Sequence, residues 1–397
     1  MERDGWLGRV GPWVGIGTSP AALMTGGGLG EGLKGGELVA ALLTGVALLS
    51  ALAIGQGVIG QRTGMTLSAL TAGPLGARGS RRTASVVMLL MMIGWFGVNA
   101  GVAGVAVARL LGLPDVAGVA LFAAVMLGVA RVGLGALSWS ALVAGVATTV
   151  LAAYGLHLAF ADAPVTLSGG AAGSDPIGFA PAVVLVVGYG AAFSLRTPDF
   201  THDLARTRQV VWCALTGLIV PLIAFALAGA ALQAATGTWD LADVMRRLGS
   251  PEAAYLFVAL GFTGSVLTNI WSGGLSLTDV LPRIPLSLSM PAVTVVGTIV
   301  AAGGFSGLML PWLTVMALAA PGLAAVCAIH AARGKAASPG WGTTGLCCWG
   351  AGFGCGIVLH VAGSPMALPA AALLPAIGYW AFGQSGLRKL TDAKTGS

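Results

Sequence analysis

Apolar runs of membrane-crossing length follow one another along nearly the whole chain, and this pattern leaves few folds open. A helix that crosses the hydrocarbon core of a bilayer needs roughly 20 mostly apolar residues. Twelve such runs are read, over 9–32, 37–60, 84–111, 115–131, 136–160, 178–195, 210–235, 253–275, 286–303, 305–330, 341–362 and 367–386. Transmembrane strands would instead appear as short segments of alternating hydrophobicity, and the sequence has none. The expected class is therefore all-α, an integral membrane bundle of about twelve transmembrane helices. Composition closes the soluble alternatives: charged residues are 9% of the 397, against about a quarter in soluble domains. Glycine is abundant, 63 residues without a collagen period, and small residues let membrane helices approach closely. The five cysteines fall in apolar stretches, which predicts buried thiols and no disulfide framework.

Lys and Arg set the orientation, because cytoplasmic loops collect them. With the N-terminus inside, all of the twenty except Lys34, Arg109, Arg246 and Arg247 fall in cytoplasmic segments. Both termini are then expected in the cytoplasm, at a bacterial-type inner membrane, which requires an even number of spans. The net charge of +6 reads as this topology signal. Nucleic acid is not an expected partner, since no basic face with interleaved aromatics accompanies the charge. The opening Met1-Glu2-Arg3-Asp4 has mixed charge and no cleavage site follows a short apolar core, so no signal peptide is expected.

The longest connections, near 61–83, 161–177 and 236–252, are too short for a catalytic domain, so any chemistry lies at membrane depth. Two spans read as interrupted. In Gly15-Ile16-Gly17-Thr18-Ser19-Pro20 the proline removes a backbone donor, and the glycines and hydroxyls favour unwinding. In the sixth span, Val187-Gly188-Tyr189-Gly190-Ala191 reads as a second break at mid-span. Interruptions at corresponding places in two halves point to a transporter site built from inverted repeats. Glycine packing with a proline kink is the simpler account of either one alone.

Trp95 and Asn99 stand one helical turn apart in the third span and share a face. An aromatic plane beside an amide suits a flat heterocycle. Stacking contributes roughly 1–3 kcal/mol per base, and an amide reads ring N–H and C=O edges. A lone membrane tryptophan more often packs, but a buried amide without partners costs roughly 1–3 kcal/mol. In the eighth span, Thr263-Gly264-Ser265-Val266-Leu267-Thr268-Asn269 offers hydroxyls and an amide to a small hard cation, alongside carbonyls of a broken helix. Ser and Thr also bond their own helix carbonyls, which leaves Asn269 as the residue least explained by packing.

Other features carry less. Gly26-Gly27-Gly28-Leu29-Gly30 lacks the preceding strand of a phosphate loop, and His157, His202, His330 and His360 lack metal-site spacing. Gly97 and Gly101 form a GxxxG read as intramolecular packing. No span holds a convincing mid-depth Asp or Glu for a proton relay.

A set of short strings recurs in order along the chain: Thr25-Gly26-Gly27-Gly28-Leu29-Gly30-Glu31-Gly32-Leu33, Gly60-Gln61-Arg62-Thr63-Gly64, Gly76-Ala77-Arg78-Gly79-Ser80 and Gly94-Trp95-Phe96-Gly97-Val98. Thr197-Pro198-Asp199-Phe200, Thr268-Asn269, Phe305-Ser306-Gly307 and Pro311-Trp312-Leu313-Thr314 complete it. In these strings the chain resembles the nucleobase:cation symporter family, in particular its cytosine permease branch, over nearly its whole length. The resemblance implies a five-plus-five inverted-repeat (LeuT-type) fold, with 9–160 mirrored by 178–330 and two further helices over 341–386. It implies a substrate between helices 1, 3, 6 and 8 and a sodium ion between helices 1 and 8. Trp95 matches the family's stacking tryptophan, and Asn99 falls where a hydantoin transporter of the family has a glutamine. Ser19 and Gly190 match contacts from the broken helices, Tyr189 stands one residue from the helix 6 aromatic, and Asn269 is the best match to the helix 8 amide. Gly15 and Thr18 match sodium-binding carbonyls. Thr268 matches one of two sodium-binding hydroxyls; the other falls on Leu267, with Ser265 as its substitute. Met92 stands where cytosine permeases carry a glutamine.

The expected function is secondary active import of a nucleobase or related small heterocycle, cytosine-, hydantoin- or hydroxymethylpyrimidine-like, by cation symport with alternating access. No cofactor is expected beyond the coupling ion, and the expected partners are the solute, that cation and membrane lipid. Sodium is favoured over protons, because broken-helix carbonyls suit a metal ion and no mid-membrane carboxylate carries a proton. A proton-coupled or uncoupled facilitator or channel for a small polar solute is the alternative. An intramembrane enzyme would need a nucleophile and base, or a metal cluster, at depth, and the sequence supplies neither.

Overall fold

The computed structural model describes residues 5–161, 165, 167, 177–334 and 336–383, all of whose regular elements are helices. Arg3, Lys335, Arg388, Lys389 and Lys394 of the charge pattern, and the end of the last expected span, lie outside the described residues. The first span is divided into α1 (Gly11–Gly17) and α2 (Pro20–Gly32). The division follows from Pro20, which disfavours helical backbone at the residue before it: Ser19 is extended (φ −65°, ψ 142°) and caps α2, its hydroxyl accepting from the Ala21 N–H at 3.4 Å. Proline then occupies the first position of α2, where its missing donor costs nothing.

Next come α3 (Gly35–Thr63) and α4 (Leu67–Gly79), the latter kinked at Gly76 (φ 72°, ψ 160°), two residues after Pro74. A π turn over Ser80–Ala84 leads into α5 (Ser85–Leu111), followed by α6 (Asp115–Val132) and α7 (Leu134–Ala159). The second half runs through α8 (Phe179–Arg196), the single turn α9 (Pro198–Thr201) and α10 (Thr207–Cys213), which continues through a π turn into α11 (Val220–Thr236). Then follow α12 (Leu241–Arg247), α13 (Pro251–Val280), α14 (Leu286–Ala302), α15 (Met309–Ala332), α16 (Thr343–Val361) and α17 (Ala367–Phe382). Among the described residues nine helical stretches are long and apolar enough to cross a membrane. The shorter apolar α14 and α17, with the divided first span, account for the other three runs read from the sequence. The connections 61–83 and 236–252 hold the additional helices α4 and α12.

The second expected interruption is absent. α8 is continuous through Gly188, Tyr189 and Gly190, because these glycines serve close packing instead of unwinding. A Cβ on Gly188 would press on the Leu313 backbone of α15, and one on Gly190 would come within 2.8 Å of the Leu49 side chain of α3. The one proline of α8, Pro181, lies in its first turn, so no donor is lost at mid-span and the helix has no reason to open there.

At the centre, α13 packs on α5 and α7, and α1 lies between α7 and α13. The α1–α13 approach is tight: a Cβ on Gly15 would come 2.6 Å from the Gly264 Cα. Gly97 and Gly101 face Val300, Phe305 and Ala301, so the GxxxG is an intramolecular contact. Only Cys213 and Cys327 are buried; Cys347 is exposed and Cys348 and Cys355 half-buried, which corrects the expectation of five buried thiols. The reason is the solvent: α16 lies at the edge of the bundle, where apolar residues face lipid instead of a protein core.

Candidate functional site

The break between α1 and α2 meets α5, α8 and α13 around one compartment. Ile16 and Ser19 line it from the break, Met92, Trp95 and Asn99 from α5, and Tyr189, Phe193 and Arg196 from α8; Ser265, Thr268, Asn269 and Ser272 line it from α13. Its free volume is about 20 Å³, room for about one water molecule, so the compartment is closed around itself. Ala21 lines both this compartment and a vestibule of about 570 Å³ that reaches Arg109, Asp240, Arg246 and Tyr255.

Tyr189 fills part of the space. Its hydroxyl donates to the Ile16 carbonyl, and its ring meets Trp95 edge-on, with centroids 6.3 Å apart and planes at 82°. The polar groups nearby are left incomplete. Asn99 Oδ1, Asn269 Nδ2 and Ser272 Oγ are buried without a protein partner; together they present one acceptor, one donor and one hydroxyl beside the tryptophan. Orphaned buried groups cost about 1–3 kcal/mol each, a cost that a ligand offering the complementary edge removes.

At the α1–α13 contact, Ser265 Oγ donates to the Gly15 carbonyl at 2.9 Å, and Thr268 Oγ1, one turn on, donates to the Gly264 carbonyl at 2.8 Å. Gly15, Ser265 and Thr268 thus place three neutral oxygens at one crossing, a donor set that suits a hard monovalent cation but falls short of the roughly six oxygens a hard ion takes. Thr18 does not line the compartment: its hydroxyl turns back to the Val14 carbonyl at 2.8 Å and lies beside Gly145 of α7, and its carbonyl, the group expected to bind sodium, stands at the break that ends α1. Gly190 is also outside the compartment, facing Leu49. Of the residues expected to bind solute, Trp95, Asn99, Ser19, Tyr189 and Asn269 come together.

The sequence places Arg196 among the cytoplasmic charges and gives it no part in the site. It is 2% exposed and lines the compartment, paired with Asp199 at 2.9 Å. The i,i+3 spacing of Arg196 and Asp199 across Thr197-Pro198 was the available signal.

The family described as permease for cytosine/purines, uracil, thiamine and allantoin matches residues 3–337. The cytosine permeases of Escherichia coli O157:H7 and of Escherichia coli strain K12 are each 26% identical to it over 325 residues, 80% of this chain and 76% of theirs. Mhp1, a nucleobase-cation-symport-1 family transporter solved in a closed conformation with bromovinylhydantoin bound, superposes with a TM-score of 0.81 at 18% identity, covering 96% of this chain and 94% of that one. A sodium-coupled sialic acid symporter in a substrate-bound outward-open state gives 0.65 at 11% identity, over 95% and 89% of the two chains. The fold is the LeuT-type transporter fold, and the chain is a transporter, not an enzyme. By the match over most of its length, the chain belongs to the family of permeases for cytosine/purines, uracil, thiamine and allantoin.

Proposed function

We propose that the protein imports a flat nucleobase-like heterocycle by cation symport, with alternating access to the compartment around Trp95. The observation that carries this reading is the pairing of an orphaned acceptor, Asn99 Oδ1, and an orphaned donor, Asn269 Nδ2, beside an aromatic plane. A ring with adjacent N–H and C=O groups satisfies both while stacking on the indole. Cytosine, uracil and hydantoin carry such an edge, and an amino-hydroxymethylpyrimidine offers an exocyclic N–H beside a ring-nitrogen acceptor. Tyr189 must shift for a ring to enter, since the compartment holds about 20 Å³ as it stands.

Sodium is the proposed coupling ion, held where the Gly15 and Thr18 carbonyls at the end of α1 face the Ser265 and Thr268 hydroxyls of α13. The proposed halves of the inverted repeat are 9–160 and 178–330, with both termini cytoplasmic at the inner membrane. The uptake test uses purified protein in vesicles, a radiolabelled panel of those four heterocycles, and imposed sodium or proton gradients. At least one member should accumulate under the sodium gradient. Accumulation of none under either gradient overturns the heterocycle reading, and accumulation under the proton gradient alone reassigns the coupling ion.

A further inference from the structure

On the side away from the vestibule, one charged side chain closes the compartment. Arg196, in the last position of α8, lines the compartment of Trp95 and also a second, smaller void with Ser68, Thr71, Ser85 and Asp279. It is the residue common to the two linings. That second void offers about 10 Å³, so the guanidinium stands as a partition between two small spaces.

The partition is fastened from three helices. Arg196 Nη1 faces Asp199 at 2.9 Å, and Nη2 donates to the Ser272 carbonyl and, at 2.7 Å, to Ser276 Oγ, both on α13. Asp199 in turn accepts from the Leu67 N–H at 2.8 Å, the first residue of α4. The fastening lies on the face where the chain starts, because Arg9 pairs with Asp203 just beyond α9. A second carboxylate waits on the far side. Asp279, near the end of α13, lines the smaller void with Arg196 and accepts a hydrogen bond from Ser85 at 3.4 Å.

A buried guanidinium cannot be left without a counter-charge. It can move only if another carboxylate receives it, and Asp279 is the carboxylate that lines the smaller void with it. The geometry points to Arg196 as the latch of the gate opposite the vestibule. Solute leaves when the guanidinium lets go of Ser272 and Ser276 and swings toward Asp279, joining the compartment to the lower void. On the vestibule side the residue shared by the two linings is Ala21, whose methyl group has nothing to fasten with. The inference rests on the reading of the compartment as the transport path.

Thiol accessibility tests the latch without any solute. With the five native cysteines replaced by alanine, Met92→Cys places a reporter in the compartment lining. A membrane-impermeant maleimide is then applied to vesicles from the N-terminal face or from the opposite face. Adding Arg196→Gln should raise the labelling rate from the N-terminal face by about tenfold, the scale of one lost charge-assisted hydrogen bond, and leave the opposite face unchanged. Ser276→Ala, which removes one fastening and keeps the ion pair, should give a smaller rise on the same face and serves alone if Arg196→Gln does not fold. An unchanged rate from the N-terminal face overturns the latch, as does an equal rise from both faces, which marks a loosened bundle. The heterocycle reading fails separately, in the uptake panel, and no labelling result decides it.

Discussion

Trp95 and the two asparagines contribute differently to recognition. The indole supplies area and the amides supply direction, so their loss should register in different measurements. Trp95→Ala should weaken binding of whichever heterocycle is taken up by roughly 1–3 kcal/mol if stacking is the main contact, about tenfold or more in Kd. Unchanged affinity in a well-expressed variant would remove Trp95 from the site. Asn269→Leu is the sharper probe of direction: it should compress the affinity differences among the panel, because a site that has lost a donor no longer separates rings by their edges. The cation crossing is testable at the same scale. Linkage is reciprocal, so sodium should tighten heterocycle binding by the factor by which the heterocycle tightens sodium binding. Affinity measured at fixed pH in sodium and in choline should differ for the unmutated protein and converge in Thr268→Ala; equal affinities before mutation exclude sodium coupling.

At the scale of elements, two glycine-containing spans with similar sequence texture behave differently. The first is divided because Pro20 removes a donor and forces Ser19 into an extended conformation. The sixth stays whole because Gly188 and Gly190 are used to bring α15 and α3 close. Glycine permits unwinding, and at Ser19 the following proline enforces it, whereas Pro291, Pro321 and Pro375 are carried inside the continuous helices α14, α15 and α17. The same contrast predicts which glycines tolerate a methyl group. Gly15→Ala sets a Cβ 2.6 Å from the Gly264 Cα, an overpacking of a kind that costs about 1–3 kcal/mol. Gly28→Ala in α2 meets nothing within 4 Å, and alanine is the better helix former by roughly 0.5–1 kcal/mol. Thermal unfolding in detergent should therefore show a lower Tm for the first and an equal or higher Tm for the second; the reverse order contradicts the α1–α13 contact.

At the scale of the whole molecule, the charge pattern predicts that Gly64 and Gly237 lie on opposite faces of the membrane. Reporter insertions at these two exposed turns should read cytoplasmic and external respectively, and inverted results overturn the orientation. That the apolar runs form helices, nine of them among the described residues long enough to cross a membrane, was legible in the sequence, since hydrophobic length alone fixes what a bilayer accepts. So were the break at Pro20 and the shared face of Trp95 and Asn99, which depend on one proline and on helical periodicity. What the chain does with its other residues was settled by neighbours distant in sequence. Leu313 and Leu49 decide that Gly188 and Gly190 pack and do not unwind. The Gly15 carbonyl, 250 residues away, gives Ser265 its role at the crossing. Ser272, Ser276 and Asp199 turn Arg196 from an expected interfacial charge into a buried partition. Local sequence determines where a helix starts, stops and crosses, because those depend on backbone donors and apolar length; which side of a helix meets a partner, and which polar atoms are left unpaired, is decided only when helices far apart in the chain are brought into contact.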